Sequence, residues 1–515
     1  MKKCLLVRLC FIGCLLSGVF DLHAQSRQQR VTDSAAMSAQ YWKLWNPSVQ
    51  SRIDSAIDRN RKANGVIQIK GIPPGAVVKI EQLTHDFYFG ANIFNFNQLG
   101  TTGRNDRYKE LFGGLFNSAT VAFYWKPFEM IPNQLRFREG YWDTEAFWNA
   151  VDSPKAEPHW RRPATDPIIS FLDAKGVRIK GHNMVWGNNK WQKPDWLFDR
   201  MCPEAERSAI EKLGGINAFG KLSAEEMEKV APGFATILKE QYRKRVIELS
   251  RYYGDKIQCW DVVNESANDY HGELMTGSAY YDHSIYGVMP GDYTYMGFKT
   301  AQEYLPKDVK ININDYANNL NYVNQVKDLK AHGCRIDLLG SQMHLFNPKQ
   351  CLDIAEGKPI QAPLKIWNMM DTLAQARVPI AVSEITITAP GDDARGRAIQ
   401  AQITRNLYRL WFSIKDVAEI TWWNVVDDCG APGEPTTSGL FTRDMRPKPS
   451  YYVLDGLING EWKTQMSLKA DANGLVRFRG FKGEYLVSWK NRSGELEEGK
   501  FHLGQDGDRL SVSNQ

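Results

Sequence analysis

A (β/α)8 TIM barrel, with a small β-structure before it and a short β-rich extension after it, is the α/β fold class this sequence predicts. Three observations carry the expectation. From Phe87 onward short apolar runs alternate with longer helical patterns, and eight such pairs fit before Ile458. The run Trp260-Asp261-Val262-Val263 has the β-branched and aromatic weight of a buried strand, set off from a long helical pattern by Gly254. Two of the runs then deliver a carboxylate at their ends, Glu265 after Val262-Val263-Asn264 and Glu384 after Ile380-Ala381-Val382-Ser383. At the carboxyl end of a parallel strand a side chain leaves the core and meets substrate.

Taken in order, the chain opens with Lys2, Lys3 and Arg8 ahead of an apolar run from Leu9 to Phe20, and Ala24 supplies a small cleavage residue. This is the pattern of a signal peptide over residues 1–24, too short to persist as a membrane helix, so export to the periplasm, cell surface or medium is expected. Ile12-Gly13-Cys14 is a weaker, lipoprotein-like pattern, since the apolar run continues past it. Residues 25–86 read as a lead-in helix with an apolar period through Ile53 and Ile57, then two short strands around Pro73-Pro74-Gly75. That small β-structure suits a packing lid better than a glycan-binding site.

The barrel spans 87–460, with strands expected near Tyr88–Ile93, Ser118–Phe123, Arg178–Val185, Ile257–Asn264, Lys310–Asp315, Leu338–His344, Ile380–Ile385 and Glu419–Val425. A typical barrel needs about 250 residues, so this one carries insertions. Gly187 to Gly233 is the largest, and as a βα loop it belongs on the catalytic face. Asn149 to Pro167, rich in Pro and charge, is a second excursion. Residues 461–515 alternate as short strands with a turn at Gly480-Phe481-Lys482-Gly483, a module expected to dock on the barrel.

Composition narrows the function classes. The formal net charge is only +5 over 515 residues, which leaves no basic footprint for nucleic acid. No later segment is long and apolar enough to cross a bilayer. Once the signal is removed, Cys202, Cys259, Cys334, Cys351 and Cys429 remain, an odd number without CxxC spacing, so no zinc site or other cofactor is expected. Sixteen Trp and twenty-one Tyr offer faces for sugar stacking, although aromatic side chains more often fill cores.

Two strand-end carboxylates are what glycoside hydrolysis needs. The alternative reading of each, a strand end capped by solvated polar residues, stays open on either run alone. Together with WDVVNE at Trp260 to Glu265, the motifs GHNMVW (Gly181 to Trp186), INDY (Ile313 to Tyr316), GSQMHL (Gly340 to Leu345), SEI (Ser383 to Ile385) and PKPSY (Pro447 to Tyr451) follow one another in order. This ordered set resembles the family 10 glycoside hydrolases, the endo-1,4-β-xylanase family, over roughly Phe87 to Ile458.

The resemblance implies a polysaccharide or oligosaccharide substrate, with Glu265 as general acid/base and Glu384 as nucleophile of a retaining mechanism. It implies that Asn264 binds the sugar 2-hydroxyl, that His344 holds the nucleophile, and that Gln342 touches nucleophile or sugar. Lys126 and His182 would bind sugar hydroxyls on the non-reducing side, Trp423 would be a stacking floor, and Tyr316 would support the leaving-group side. Trp186 is open between floor and core. Departures are also visible. Val121-Ala122-Phe123-Tyr124-Trp125 stands where the family has a Glu-Asn-Glu run, Gly187 where it has a histidine, and Thr386 where it has an aspartate. Asp427-Asp428-Cys429-Gly430-Ala431-Pro432 lacks the second expected tryptophan. Reaction type is therefore more secure than substrate. A different β-glycan, or a non-catalytic glycan-binding protein on the same barrel, are the competing readings; His182 and His344 alone do not make a metal-hydrolase ligand set.

Overall fold

The computed structural model of the chain describes residues 34–276 and 281–513, so the expected signal peptide lies outside the described residues. The strands run in chain order: β1 (Lys62–Lys70) and β2 (Val77–Gln82); β3 (Tyr88–Asn92), β4 (Ser118–Ala122), β5 (Arg178–Trp186) and β6 (Cys259–Asn264); β7 (Tyr281–Ser284) and β8 (Gly287–Pro290); β9 (Lys310–Asp315), β10 (Leu338–Gln342), β11 (Ile380–Ile385) and β12 (Val417–Trp422). β13 (Gln465–Lys469), β14 (Leu475–Phe481), β15 (Gly483–Lys490), β16 (Leu496–Leu503) and β17 (Arg509–Ser513) complete the set. β3, β4, β5, β6, β9, β10, β11 and β12 close into a parallel barrel in that order, which is the (β/α)8 architecture the sequence predicts.

Every residue of β4, β6, β10 and β11 is buried, because helices cover the outside of the sheet and side chains fill its lumen. Gly181 in β5 is there to make room. A Cβ on it would stand 2.3 Å from Cε3 of Trp260, a fully buried indole in the neighbouring strand β6. Deeper in the lumen the filling is ionic. Lys180 Nζ lies 3.2 Å from Asp261 Oδ1, and Arg178 Nη1 lies 2.7 Å from Glu419 Oε2. Buried charges of this kind are tolerated only when paired and hydrogen-bonded.

Three features differ from the sequence-based expectation. β10 stops at Gln342 rather than His344, where its register with β11 shifts after Ser341, and β12 stops at Trp422 rather than Val425. The loop after β6 contains the β7–β8 hairpin, whose four-residue strands are too short for an alternation to announce them. The two flanking segments are joined: β1 pairs with β14 and β17, while β2 lies between β13 and β15. They share one core, including Ile67, Ile69, Val78, Ile80, Phe478, Tyr485, Val487 and Trp489.

The lead-in helix Pro47–Arg61, capped by the Asn46 side chain on Val49 N, links this module to the barrel. Arg61 at its end donates to the carbonyl oxygens of Phe412, Ile414 and Val417. Among the described residues no helix is long and apolar enough to cross a membrane.

The Gly181–Trp260 contact yields a test of barrel packing. Gly181→Ala is expected to destabilise the fold by about 1–3 kcal/mol, the usual range for overpacking a filled core. Urea unfolding should show a lower midpoint at unchanged slope.

Candidate active site

At the carboxyl end of the barrel strands lies a cavity of about 160 Å³ that contains both Glu265 and Glu384. A hollow of about 610 Å³ is larger, but it is lined by Pro379 and Val417 at the strand starts, on the opposite face. The smaller cavity lies on the face where barrels of this architecture place their active sites.

Glu265 follows directly on β6 with φ of 54°, a left-handed conformation that is uncommon for a residue with a side chain. Its backbone N–H donates to Asn314 O at 2.7 Å, which holds the turn. The carboxyl group meets three donors: Trp186 Nε1 at 3.0 Å and the Tyr286 hydroxyl on Oε2, and Gln342 Nε2 at 3.1 Å on Oε1. Burial pushes the Glu265 carboxyl up to about 7; the Tyr286 hydrogen bond opposes this and the charge of Glu384 adds to it.

Glu384, near the end of β11, is 5% exposed and held from two sides. Asn314 Nδ2 donates to its Oε1 at 2.7 Å, and the same amide donates to Asn264 Oδ1 at 2.8 Å. One asparagine on β9 thus ties the strand end that carries Glu265 to the carboxylate on β11. His344 Nε2 lies 3.0 Å from Glu384 Oε2, and its Nδ1 lies 3.0 Å from the Thr386 hydroxyl. With the proton on Nε2, the ring donates to the carboxylate and accepts from the threonine. The hydroxyl of Thr386 therefore occupies the place where the family resemblance led us to expect a carboxylate. His182 lies 2.9 Å from Asp261 Oδ2 through Nδ1, and its Nε2 is 3.9 Å from Glu384 Oε1, beyond hydrogen-bond reach.

Of the sequence-predicted residues, Glu265, Glu384, His182, Trp186, Asn264, Gln342, His344 and Trp423 all line this cavity. The open choice for Trp186 resolves toward the site, since its indole N–H is spent on Glu265. Trp423 turns its ring toward His182 and His344, with centroids 5.4 and 6.0 Å away. Two residues are placed elsewhere. Lys126 pairs with Asp195 at 2.7 Å in a separate hollow, because Trp125 beside it turns into the core and the short helix Trp125–Phe128 carries the lysine outward. Tyr316 is 46% exposed, outside the cavity lining, with its hydroxyl accepting from Asn268 Nδ2.

Sequence reasoning missed Tyr286, Asn314, Arg161 and Arg162. Tyr286 sits in the turn of the β7–β8 hairpin, and Gly187 is its counterpart: a Cβ on Gly187 would meet the Tyr286 Cβ at 2.8 Å. Lys193 Nζ donates to Val288 O at 2.7 Å and anchors the hairpin from below. Among the described residues no group of three or more His, Cys, Asp or Glu is placed to hold a metal ion.

The raised Glu265 carboxyl makes a prediction about stability alone. The native chain keeps this proton between the ordinary 4.5 and about 7, whereas the unfolded chain releases it. The native state therefore loses stability as pH climbs through that window and no further above it. Glu265→Gln should remove the loss: thermal unfolding should show the variant gaining on wild type from pH 4.5 to about 7, then a constant difference.

Comparison with known proteins fits this geometry. The sequence model of "Glycosyl hydrolase family 10" matches residues 84–456. "Endo-1,4-beta-xylanase A" of Halalkalibacterium halodurans is 24% identical over 68% of this chain and 85% of its own length. "Endo-1,4-beta-xylanase A" of Thermotoga maritima is 26% identical over 80% of this chain, which spans only 34% of that protein. "Exoglucanase XynX" of Acetivibrio thermocellus is 26% identical over 56% of this chain and 24% of its own length. With the family match covering more than half of its residues, the chain belongs to glycosyl hydrolase family 10 and is a glycoside hydrolase.

Proposed function

We propose that this glycoside hydrolase is exported and cleaves β-1,4-xylosidic linkages in xylan or a related β-glycan, with retention of anomeric configuration. One observation carries the reading: two carboxyl groups share one cavity in unlike surroundings, Glu265 raised to about 7 by burial and Glu384 held by the Asn314 amide and the His344 imidazole. Pairs of carboxyl groups with such divided environments serve as acid and nucleophile.

In the first step Glu384 attacks the anomeric carbon, the glycosidic C–O bond breaks, and Glu265 gives its proton to the departing oxygen. A glycosyl ester on Glu384 results. Esterification removes the negative charge that helps keep Glu265 protonated, so Glu265, ionised by that transfer, stays a carboxylate and takes a proton from water. That water attacks the anomeric carbon, the ester bond breaks, and Glu384 is regenerated. Asn264 spends Oδ1 on Asn314 and Gln342, which leaves its NH2 as a donor for a sugar hydroxyl. The Trp423 ring supplies an apolar face for the sugar.

A second reading keeps this chemistry on a different β-glycan. It is favoured by Tyr124 and Trp125, which replace expected polar contacts, and by Lys126, which is spent on Asp195. A non-catalytic glycan-binding role is disfavoured by the retained carboxyl pair.

Incubation of residues 25–515 with a panel of β-glycans tests the proposal. Xylan should be cut, the first product should keep the β configuration by NMR, and Glu384→Ala should abolish turnover. Cleavage of a different glycan alone would move the substrate, and binding without turnover would end the enzymatic reading. Glu265 must start protonated, so kcat/KM should fall as pH rises through about 7. Thr386→Val leaves His344 Nδ1 without its donor, and kcat should drop by about 5- to 100-fold with KM little changed, the scale of one buried hydrogen bond left unsatisfied.

A further inference from the structure

The lining of the same cavity contains a charge the mechanism does not use. Arg161 and Arg162 arrive together from the excursion between residues 149 and 167, and both are buried, at 2% and 7% exposed. Arg161 has a carboxylate partner, although its Nε, like that of Arg162, is buried without a hydrogen bond. Its Nη1 reaches Glu434 Oε2 at 3.1 Å and its Nη2 reaches Asn424 Oδ1 at 3.1 Å. That same Glu434 oxygen also accepts from Asn424 Nδ2 and from Ala431 N, each at 2.9 Å, so it is fully engaged.

Arg162 has no such counterpart. Among the described residues its guanidinium makes one hydrogen bond, from Nη1 to the Arg161 carbonyl oxygen at 2.7 Å, and Nε is buried without a partner. Among the described residues no carboxylate pairs with it. Its guanidinium lies 3.7 Å above the Tyr124 ring, with Phe94 at 5.0 Å and Trp191 at 5.8 Å, all of them cavity residues. Aromatic faces offset part of the cost of burying this charge, but they leave the Nε–Nη2 edge unused. Burial pulls the Arg162 group down to about 10; Tyr124 and the charge of Glu434 oppose this and the adjacent Arg161 charge adds to it.

A neutral amide would serve a sugar hydroxyl without desolvating a charge. A guanidinium edge instead matches an oxyanion, which it grips with two parallel N–H donors. Resting on the glycosidase reading above, we propose that Arg162 recognises an anionic substituent of the substrate. The glycan taken by this chain then carries a carboxylate or sulfate on the sugar seated against Tyr124 and Trp191.

The test uses matched oligosaccharides on whichever backbone residues 25–515 cleave, differing in one substituent: neutral, uronate or sulfate. For wild type, kcat/KM should favour one anionic member over the neutral one by roughly tenfold or more, the scale of a charge-assisted hydrogen bond. The preferred member identifies carboxylate or sulfate as the source. Arg162→Met should erase that preference, and Arg162→Lys, which keeps the charge but not the fork, should keep only part of it. Equal rates on all three by wild type, a ratio that needs no variant to fold, would overturn the proposal. So would an equal loss on all three in Arg162→Met. Calorimetry with the same compounds separates the two readings. Anion-dependent binding without turnover sustains Arg162 and removes the glycosidase, whereas turnover blind to the substituent does the reverse.

Discussion

Asp261 is the side chain on which the arrangement of the site rests. It lies buried in the barrel lumen, takes Lys180 on one oxygen and His182 on the other, and receives the Asn312 amide at 3.4 Å. Lys180 also approaches Glu419, and Glu419 holds Arg178, so β5, β6, β9 and β12 meet in one polar layer. A buried charge that loses its partner costs several times what it contributes when paired. Sliding any of these strands by one residue would separate those partners. The register that keeps them together is the register that brings Glu265, Glu384, His182 and Asn264 to one mouth. Asp261 thereby orients a cavity residue from below: it occupies His182 Nδ1 and leaves the other nitrogen facing Glu384.

Above that layer the two carboxyl groups are treated differently by their neighbours. Glu384 is gripped by the Asn314 amide from β9 and the His344 imidazole from the loop after β10, which fix the orientation of its carboxyl group. Glu265 is carried on a left-handed residue between an indole and a phenol, and burial keeps its proton on. Strained backbone of this kind persists where surrounding contacts over-determine it, which is common at functional positions. Here those contacts come from the ends of β5, β9 and β10 and from the β7–β8 turn, so the position of the Glu265 carboxyl reports on the integrity of all four.

Much of this was legible in the sequence because it is local. An apolar run that ends in Asn-Glu or Ser-Glu announces both a strand and its functional end, and the eightfold alternation announces the barrel. What was illegible is long-range. Arg161 and Arg162 lie in a stretch that reads only as Pro and charge, and their return to the cavity depends on Glu434 and Asn424 far along the chain. Tyr286 sits on a hairpin too short to show a period. Lys126 was assigned from its place in a motif, but the side chains before it are large aromatics that claim the interior and turn the lysine away. Thr386 was legible as a departure, whereas its capacity to satisfy His344 through a hydroxyl needed coordinates.

The pairing of β1 and β2 with strands that arrive about four hundred residues later or more bears on how such a polypeptide assembles during synthesis. The first two strands leave the ribosome with open edges and no sheet to join. The barrel can close around its own nearby contacts while they wait, since short loops cost less entropy to close than long ones. Only when β13 to β17 emerge can the sandwich form, and Arg61 then clasps it to the helix that precedes β12. The module is in effect a buckle, fastened last, that no nascent chain truncated inside the barrel can close.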